Sequence, residues 1–273
     1  MSVRLHHQRP DDPAASPIVV ERAGAQSRVG CVRGSLAAPL LAVCGLGGGA
    51  GASTLSYLIA RYAVTSGRGN VIVCDTGGPA GGLAACTSVE SAWSLTEASN
   101  RLADDLSLAD GLYAVDDVAG APGRELRVIA TGPRFSSSGD PAALEALLAM
   151  TRSDAVHALT VVDCGTLQRA ADRIALRCAS HVAWVMPATA SGIRRGERVL
   201  TQIRPRPTHR ELLVARRDRR QATPGLRALE ALARQRNAPL VLMPDVPDVL
   251  DDAPRALEQA QVTLQAILGV LQR

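Results

Sequence analysis

Short apolar runs alternate with segments of helical spacing along the chain from residue 40 onward. Seven runs have the length and apolar content of buried strands: Leu40–Cys44, Val71–Cys74, Leu126–Ala130, Leu159–Asp163, Val182–Met186, Leu212–Ala215 and Leu240–Met243. Helical segments separate most of them and close the chain: Ser53–Ser66, Ser91–Leu108, Pro141–Met150, Leu167–Cys178, Gly192–Ile203, Pro224–Arg236 and Pro254–Leu271. This alternation predicts an α/β fold with a mainly parallel sheet of seven or so strands and helices on both faces.

Residues 1–38 differ in composition from the rest of the chain. They are rich in Pro, Arg, Asp and Ser and contain one short β-like run, residues 17–21. We therefore predict a mostly irregular N-terminal arm, followed by one domain over residues 39–273. A loose tail is the simpler interpretation of the arm, and a partner-binding motif is the alternative.

The stretch with the most chemical information is residues 39–54, where an apolar run leads into a glycine-rich loop and then a helix. Five glycines fall within the seven residues 45–51. Glycine permits positive φ and close approach of an anion to main-chain N–H groups, and a helix N-terminus favours negative charge. The stretch predicts a phosphate-binding loop with these candidate nucleotide-binding residues: Gly47, Gly48, Gly49, Gly51, Ala52, Ser53 and Thr54.

Two aspartates end apolar strands and become candidates for a metal site. Asp75 ends the second predicted strand and Asp163 ends the fourth. The carboxyl ends of parallel strands lie at one edge of a sheet, so both carboxylates are expected near the hydroxyl of Ser53. Ser53, Asp163 and Asp75 are therefore the predicted Mg²⁺ ligands. The alternative for either aspartate is that it caps the following turn.

The loop departs from the usual phosphate-loop pattern G-x-x-x-x-G-K-[ST]. Fitted to it, Gly51 is the second glycine and Ser53 the hydroxyl residue, but Ala52 takes the lysine position and Leu46 the first glycine. All 30 cationic side chains of the chain are arginines. No lysine from elsewhere in the chain, or from a second copy of it, can replace the missing one.

These residues resemble the MinD/ParA family of deviant-Walker P-loop ATPases. The sequence GLGGGAGAST, residues 45–54, is most similar to the CpaE/TadZ pilus-localisation branch, and the resemblance covers residues 39–272. By this resemblance the family's signature lysine falls on Gly47, its second lysine on Ala52, its Mg²⁺ hydroxyl on Ser53 and its Walker-B aspartate on Asp163.

Two further family motifs are half missing. The D-x-D motif falls on Asp75 and Gly77, so the carboxylate that would orient the attacking water is absent. The Asn-Arg pair that often contacts adenine falls on Ala215 and Arg216. The resemblance thus implies a degenerate pseudo-ATPase with no catalytic residues, in which ATP hydrolysis is absent or very weak. No cofactor is expected to be required, and ATP or ADP with Mg²⁺ is expected to bind weakly.

The resemblance also implies a role and partners. The expected role is a scaffold or localisation factor for a Flp/Tad-type pilus or secretion machine, whose protein components would be the partners. The alternative is a septum, cell-division or partition-type regulator that contacts DNA or anionic membrane. A homodimer is expected to be nucleotide-independent, because Gly47 has no side chain to reach a partner's nucleotide.

The absence of a signal segment and of an 18-residue apolar run predicts a cytoplasmic location, with peripheral contact at the membrane or cell pole.

The same loop also fits the dinucleotide-binding pattern G-x-G-x-x-A over residues 45–50, with Asp75 at the end of the second strand. This leaves a Rossmann-type NAD(P)-binding protein as an alternative. Any glycine-dense loop satisfies that pattern, and Asp163 would then have no role. The order of the strands in the sheet distinguishes the two folds.

A basic segment runs from Arg194 to Arg220. It holds ten arginines and three acidic residues, a net charge of +7 in a chain whose total is +4. The candidate anion-binding residues are Arg194, Arg195, Arg198, Arg216, Arg217, Arg219 and Arg220. Binding of DNA or anionic membrane is one interpretation, and a solvated basic face is the simpler one.

The last predicted helix has an apolar stripe that includes Leu257, Leu264 and Leu268. Its polar face is mostly Gln and Glu rather than basic, so we predict that the stripe packs in the core and does not bind membrane. The histidines and cysteines have no spacing that indicates a metal site.

Overall fold

The computed structural model describes residues 37–76, 82–87, 89, 94–103, 114–118, 121–130, 140–153, 157–217 and 225–272. Residues 1–36 of the predicted N-terminal arm lie outside these ranges, so the arm stays a prediction. Gly77, Arg219 and Arg220 also lie outside the described residues.

The described strands form one sheet. They are β1 (Leu40–Gly45), β2 (Asn70–Asp75), β3 (Ala114–Asp116), β4 (Leu126–Ile129), β5 (His157–Asp163), β6 (His181–Pro187), β7 (Arg210–Arg216) and β8 (Leu240–Met243). Over the described ranges the sheet has eight strands in the order β3-β4-β2-β5-β1-β6-β7-β8. Only β3 pairs with its neighbour in antiparallel fashion. The predicted α/β fold with a mainly parallel sheet is confirmed.

Helices cover both faces of the sheet, and each face has its own apolar core. The described helices are α1 (Ala52–Thr65), α2 (Leu95–Ala103), α3 (Pro141–Ser153), α4 (Ala170–Cys178), α5 (Ala190–Gln202), α6 (Leu226–Arg236) and α7 (Ala253–Leu271). Helices α1 and α7 pack on one face, and α2 to α6 pack on the other. Leu264 and Leu268 of α7 are buried in the first core, as the apolar stripe predicted. None of the described helices has the length and apolarity to span a bilayer.

Two details differ from the predicted elements. The prediction of seven strands missed β3, which has only three residues and therefore gives little periodic signal. Tyr57 on α1 fixes this edge strand, because its hydroxyl donates a hydrogen bond to Asp116. Helix α2 is described only over Leu95–Ala103, whereas the sequence predicted a helix over residues 91–108.

The strand order excludes one of the alternatives. Strand β1 lies between β5 and β6, and β5 separates it from β2. In dinucleotide-binding sheets the second strand lies directly beside the first. The NAD(P)-binding interpretation is therefore wrong, and the match to G-x-G-x-x-A reflects only the density of glycines.

A buried ion pair fixes the end of α5 to the sheet. On α6, Arg236 donates to both carboxylate oxygens of Glu211 on β7, from Nε at 2.9 Å and from Nη2 at 2.7 Å. Its Nη1 donates to the carbonyl oxygens of Leu200 at 3.2 Å and Ile203 at 2.6 Å, at the C-terminal end of α5. Since both charged side chains are about 5% exposed, each depends on the other for its electrostatic compensation.

This ion pair gives a test of the fold. We expect Arg236→Met to lower the free energy of unfolding by about 3–5 kcal/mol, because it leaves the Glu211 carboxylate buried and unpaired. The double variant Glu211→Gln/Arg236→Met should lose less of the free energy of unfolding than Arg236→Met, because it leaves no buried, unpaired carboxylate. Urea denaturation followed by circular dichroism measures both. Arg234→Met, at an exposed position in the same helical turn, is the control, and an equal loss in that variant would contradict the role of the pair.

Candidate functional site

The carboxyl ends of β1, β2, β5, β7 and β8 surround a cavity of about 680 Å³. Six of the seven predicted nucleotide-binding residues line it, and among them Gly48 does not. Asp75 and Asp163 also line it, as the positions of their strand ends predicted. The structure therefore brings the predicted loop and the predicted metal ligands to one place.

The glycine loop, residues 45–51, connects β1 to α1. Its start is held by both neighbouring strands, because the Gly45 N–H donates to the carbonyl oxygen of Gly165 at 2.7 Å and the Leu46 N–H donates to that of Val185 at 2.8 Å. Gly51 is the N-cap residue of α1 and has a φ of 90°, a left-handed conformation that favours glycine. A glycine at the N-cap has no side chain that could accept hydrogen bonds from the first N–H groups of α1. The first three residues of the helix line the cavity, so these N–H groups lie at its wall.

Ser53 and Asp163 lie close together in the wall of the cavity. The Ser53 hydroxyl favours the ionised form of the Asp163 carboxylate, whose Oδ1 accepts a hydrogen bond from the Gly165 N–H at 3.0 Å. Asp163 is only 3% exposed, and this burial raises the pKa of its carboxyl above the usual value. The Ser53 hydroxyl and the Gly165 N–H act in the opposite direction, because both stabilise the ionised form of the carboxyl.

Asp75 lies beside Asp163, since the two residues are register partners on β2 and β5. Its Oδ2 accepts a hydrogen bond from the Leu83 N–H at 3.2 Å. A Cβ atom on Gly82 would lie 2.7 Å from that oxygen, so any side chain at position 82 would displace the Asp75 carboxylate. The turn at residues 82–85 therefore holds the Asp75 carboxylate at the edge of the cavity.

The donor set at this edge suits a Mg²⁺ ion that is shared with a ligand. Among the described residues there is no group of three or more His, Cys, Asp or Glu side chains that could hold a metal. Mg²⁺ is typically bound through one or two carboxylates, with phosphate oxygens and water completing its shell. Ser53 and Asp163, with Asp75 adjacent, would provide that partial set of protein ligands, and a bound Mg²⁺ would neutralise phosphate charge.

Two arginines lie over the glycine loop, near the positions where the family has lysines. A Cβ atom on Gly51 would lie 3.3 Å from Cδ and 3.6 Å from Nη1 of Arg216, at the end of β7. A Cβ atom on Gly47 would lie 2.9 Å from Cδ and 3.0 Å from Nη1 of Arg195, on α5. Ala52 itself is 8% exposed and contributes only a methyl group to the cavity wall.

A third arginine, Arg169, lines the cavity from the β5–α4 loop. Its main-chain N–H donates to the buried carboxylate of Asp172 at 3.0 Å, and its Nε lies 3.5 Å from the same carboxylate. Its Nη1 is buried and has no hydrogen-bond partner. No motif in the sequence indicates this residue, which follows the end of β5 by six positions.

The basic segment is divided by the fold. Arg216 lines the cavity, and Arg195 is exposed and lies over Gly47 of the glycine loop. Arg194, Arg198 and Arg217 are also exposed, and Arg219 and Arg220 lie outside the described residues. One continuous anion-binding patch therefore stays a prediction.

The far wall of the cavity was not predicted. The loop between β8 and α7 contributes Asp245 and Asp248 to the lining. Cys86 also lines the cavity, its thiol donates to the carbonyl oxygen of Gly82 at 3.7 Å, and its burial raises the pKa of the thiol to about 11. Cys86 is therefore a neutral, buried thiol rather than a reactive one.

Solved structures with this fold are known. A ParA family ATPase from Chlorobium tepidum TLS matches with a TM-score of 0.63 and 18% identity, over 88% of this chain and 94% of that one. The septum site-determining protein MinD from Pyrococcus horikoshii OT3, complexed with Mg-ADP, matches with a TM-score of 0.63 and 15% identity, over 85% and 96%. The pNOB8 ParA bound to nonspecific DNA matches with a TM-score of 0.58 and 14% identity, over 86% and 98%.

No protein-family model and no curated protein matches the chain. At these identities the structural likeness establishes the fold alone. The chain therefore has the α/β fold of the ParA and MinD ATPases.

Proposed function

We propose that this protein is a degenerate ATPase of the MinD/ParA type that works as a scaffold or localisation factor. The observation that carries the proposal is Ala52, which stands at the lysine position beside Ser53 in the wall of the cavity. With no lysine in the chain, the loop keeps its shape and its Mg²⁺-type contact between Ser53 and Asp163 but lacks the ammonium group.

The loss of several groups together argues against turnover. Phosphoryl transfer is catalysed by positioning and by positive charge on the migrating phosphoryl group. Loss of one preorganised group typically costs about 3–4 kcal/mol, which is roughly 100- to 1000-fold in rate. Here the two family lysines are replaced by Gly47 and Ala52, and the water-orienting carboxylate by Gly77. An arginine can supply the positive charge of a missing lysine, but it cannot take the place of the carboxylate that orients the attacking water.

The biological setting is proposed from the loop sequence. Residues 45–54 are most similar to the CpaE/TadZ branch, which supports assembly of a Flp/Tad-type pilus or secretion machine as the process and its protein components as the partners. The protein would then work in the cytoplasm, at the membrane surface or the cell pole, through binding rather than chemistry.

The first prediction concerns catalysis. We expect steady-state phosphate release from Mg-ATP by the purified protein to be indistinguishable from that of Asp163→Ala, because the chemical step lacks the groups named above. Phosphate release by the wild type that Asp163→Ala abolishes would identify a working ATPase and contradict the proposal.

A substitution at the lysine position separates binding from turnover. Ala52→Lys should tighten ATP binding by about tenfold, since one charge-assisted hydrogen bond is worth about 1.5–3 kcal/mol. It should leave phosphate release unchanged, because the water-orienting carboxylate stays absent. Titration calorimetry and the phosphate assay measure the two effects. Ala149→Lys adds the same charge at an exposed position on α3 that does not line the cavity, and it should change neither.

The next prediction concerns assembly. Gly47 has no side chain to contact a nucleotide in a second copy, so any homodimer should be independent of nucleotide and held by apolar surface. Multi-angle light scattering should give one mass with and without Mg-ATP. A monomer that becomes a dimer only when ATP is added would contradict this.

A second candidate function is a partition- or division-type regulator that binds nucleic acid. The exposed residues Arg194 and Arg198 lie one turn apart on α5, so they share a face, and Arg217 is exposed at the end of β7. One solved protein with this fold, the pNOB8 ParA, is bound to nonspecific DNA. The exposed basic face would contact phosphates without reading sequence.

Salt dependence tests this second candidate. Binding to duplex DNA should weaken with salt, with a log–log slope of about −0.9 for each phosphate contact. Arg194→Gln/Arg198→Gln should reduce the magnitude of the slope by about two such contacts, whereas Arg173→Gln/Arg227→Gln, on other helices, should not. Absence of binding at low salt would leave a solvated basic face as the explanation.

A further inference from the structure

We propose that Arg195 and Arg216 supply the positive charge that the glycine loop lacks, so that the loop binds a diphosphate group without a lysine. The ligand class is a diphosphate, either within a nucleotide or as free pyrophosphate. The inference rests on the proposed function only in using the same loop, and it concerns binding rather than turnover.

Strand pairing fixes the position of Arg216. Arg216 is the register partner of Pro187 at the end of β6, and the Arg216 carbonyl oxygen accepts a hydrogen bond from the Ala188 N–H at 2.7 Å. From this anchored main chain, the side chain runs to the N-terminus of α1, where its Nη1 lies 3.6 Å from the Cβ position of Gly51. Residue 51 precedes Ala52, so the guanidinium lies next to the place where a lysine stem would begin.

A close helix contact fixes the position of Arg195. The next residue, Gly196, packs so tightly that a Cβ atom there would lie 2.9 Å from Sδ of Met186 on β6. It would also lie 3.4 Å from Cδ1 of Leu46, which is in the glycine loop itself. This contact brings α5 against the loop and sets the Arg195 side chain over Gly47.

The arginines and the glycines depend on each other sterically. A side chain at Gly47 would meet Cδ and Nη1 of Arg195 within 3.0 Å, so position 47 cannot hold a lysine unless Arg195 moves away. At Gly51 the left-handed φ of 90° adds a conformational requirement to the nearby Arg216. Two guanidinium groups thus lie beside the glycine loop, and guanidinium groups and main-chain N–H groups are the donors that bind oxyanions.

The charges of the cavity favour a diphosphate that carries Mg²⁺ over a bare one. Asp75, Asp163, Asp245 and Asp248 line the same cavity and would repel an unneutralised anion. Arg216 and Arg169 oppose that repulsion from the cavity wall, and Arg195 opposes it from its place over Gly47. A Mg²⁺ ion beside Ser53 and Asp163 would offset it further. Binding is therefore expected to be tighter with Mg²⁺ than without it.

The test is equilibrium binding of the full chain, measured by titration calorimetry with ADP and with pyrophosphate, each with and without Mg²⁺. The wild type should bind both ligands, and more tightly with Mg²⁺. Arg195→Gln and Arg216→Gln should each weaken binding of both ligands about tenfold or more, as expected for loss of one charged hydrogen-bonding group. Arg173→Gln and Arg227→Gln, exposed on α4 and α6, should stay within about twofold of the wild type.

The two ligands distinguish the source of the diphosphate. Tighter binding of ADP than of pyrophosphate identifies a nucleotide, and equal binding identifies the inorganic ion. Ala52→Lys in the Arg216→Gln background should restore most of the lost affinity, since the ammonium would enter the same part of the cavity. This rescue also shows that the Arg216→Gln variant is folded, and a circular dichroism spectrum equal to that of the wild type provides the same check for Arg195→Gln.

Failure of this inference is separable from failure of the proposed function. A wild type that binds neither ligand, or arginine variants with unchanged affinity, would overturn the inference and leave a scaffold without a ligand. ATP turnover by the wild type would instead overturn the proposed function and leave the arginine assignment intact.

Discussion

The pairing of β1 between β5 and β6 is the constraint on which the rest of the site depends. The register with β5 sets Val43 beside Asp163, so the loop that follows β1 meets the strand-end carboxylate. The main chain of the loop then bonds to both neighbours, through Gly165 and Val185. Because β6 and β7 are parallel and adjacent, Arg216 also reaches the same edge. One strand order thus brings together the glycine loop, the Asp163 carboxylate and the Arg216 guanidinium.

The parts of the site that follow from strand ends were predictable from sequence, and the parts that depend on helix approach were not. Ser53, Asp75 and Asp163 follow from the rule that parallel strands end at one edge. Arg195 appeared only as a member of a basic segment, because its place over Gly47 depends on the tertiary contact between Gly196 and Met186. Arg169 had no sequence signal at all, and the three-residue strand β3 was too short for periodicity to detect.

Under the proposed assignment, the difference between arginine and lysine explains how the loop would bind phosphate without the family's lysine. A lysine within the loop reaches phosphate from the loop's own helix, whereas Arg195 and Arg216 approach from α5 and β7, which are fixed by the sheet. Their planar guanidinium groups are suited to two-pronged contacts with phosphate oxygens. Charge from neighbouring elements supports binding, but hydrolysis also needs an oriented water, and Gly77 provides no carboxylate for it.

The central claim is that the loop holds a diphosphate through arginines and does not cleave nucleotide. A crystal structure of the full chain grown with Mg-ATP tests it most directly. The account predicts an intact triphosphate, with its β-phosphate on the loop N–H groups and the guanidinium groups of Arg195 and Arg216 in contact with phosphate oxygens. Mg-ADP in place of the ATP supplied, or a triphosphate bound while both guanidinium groups point away from it, would contradict the account.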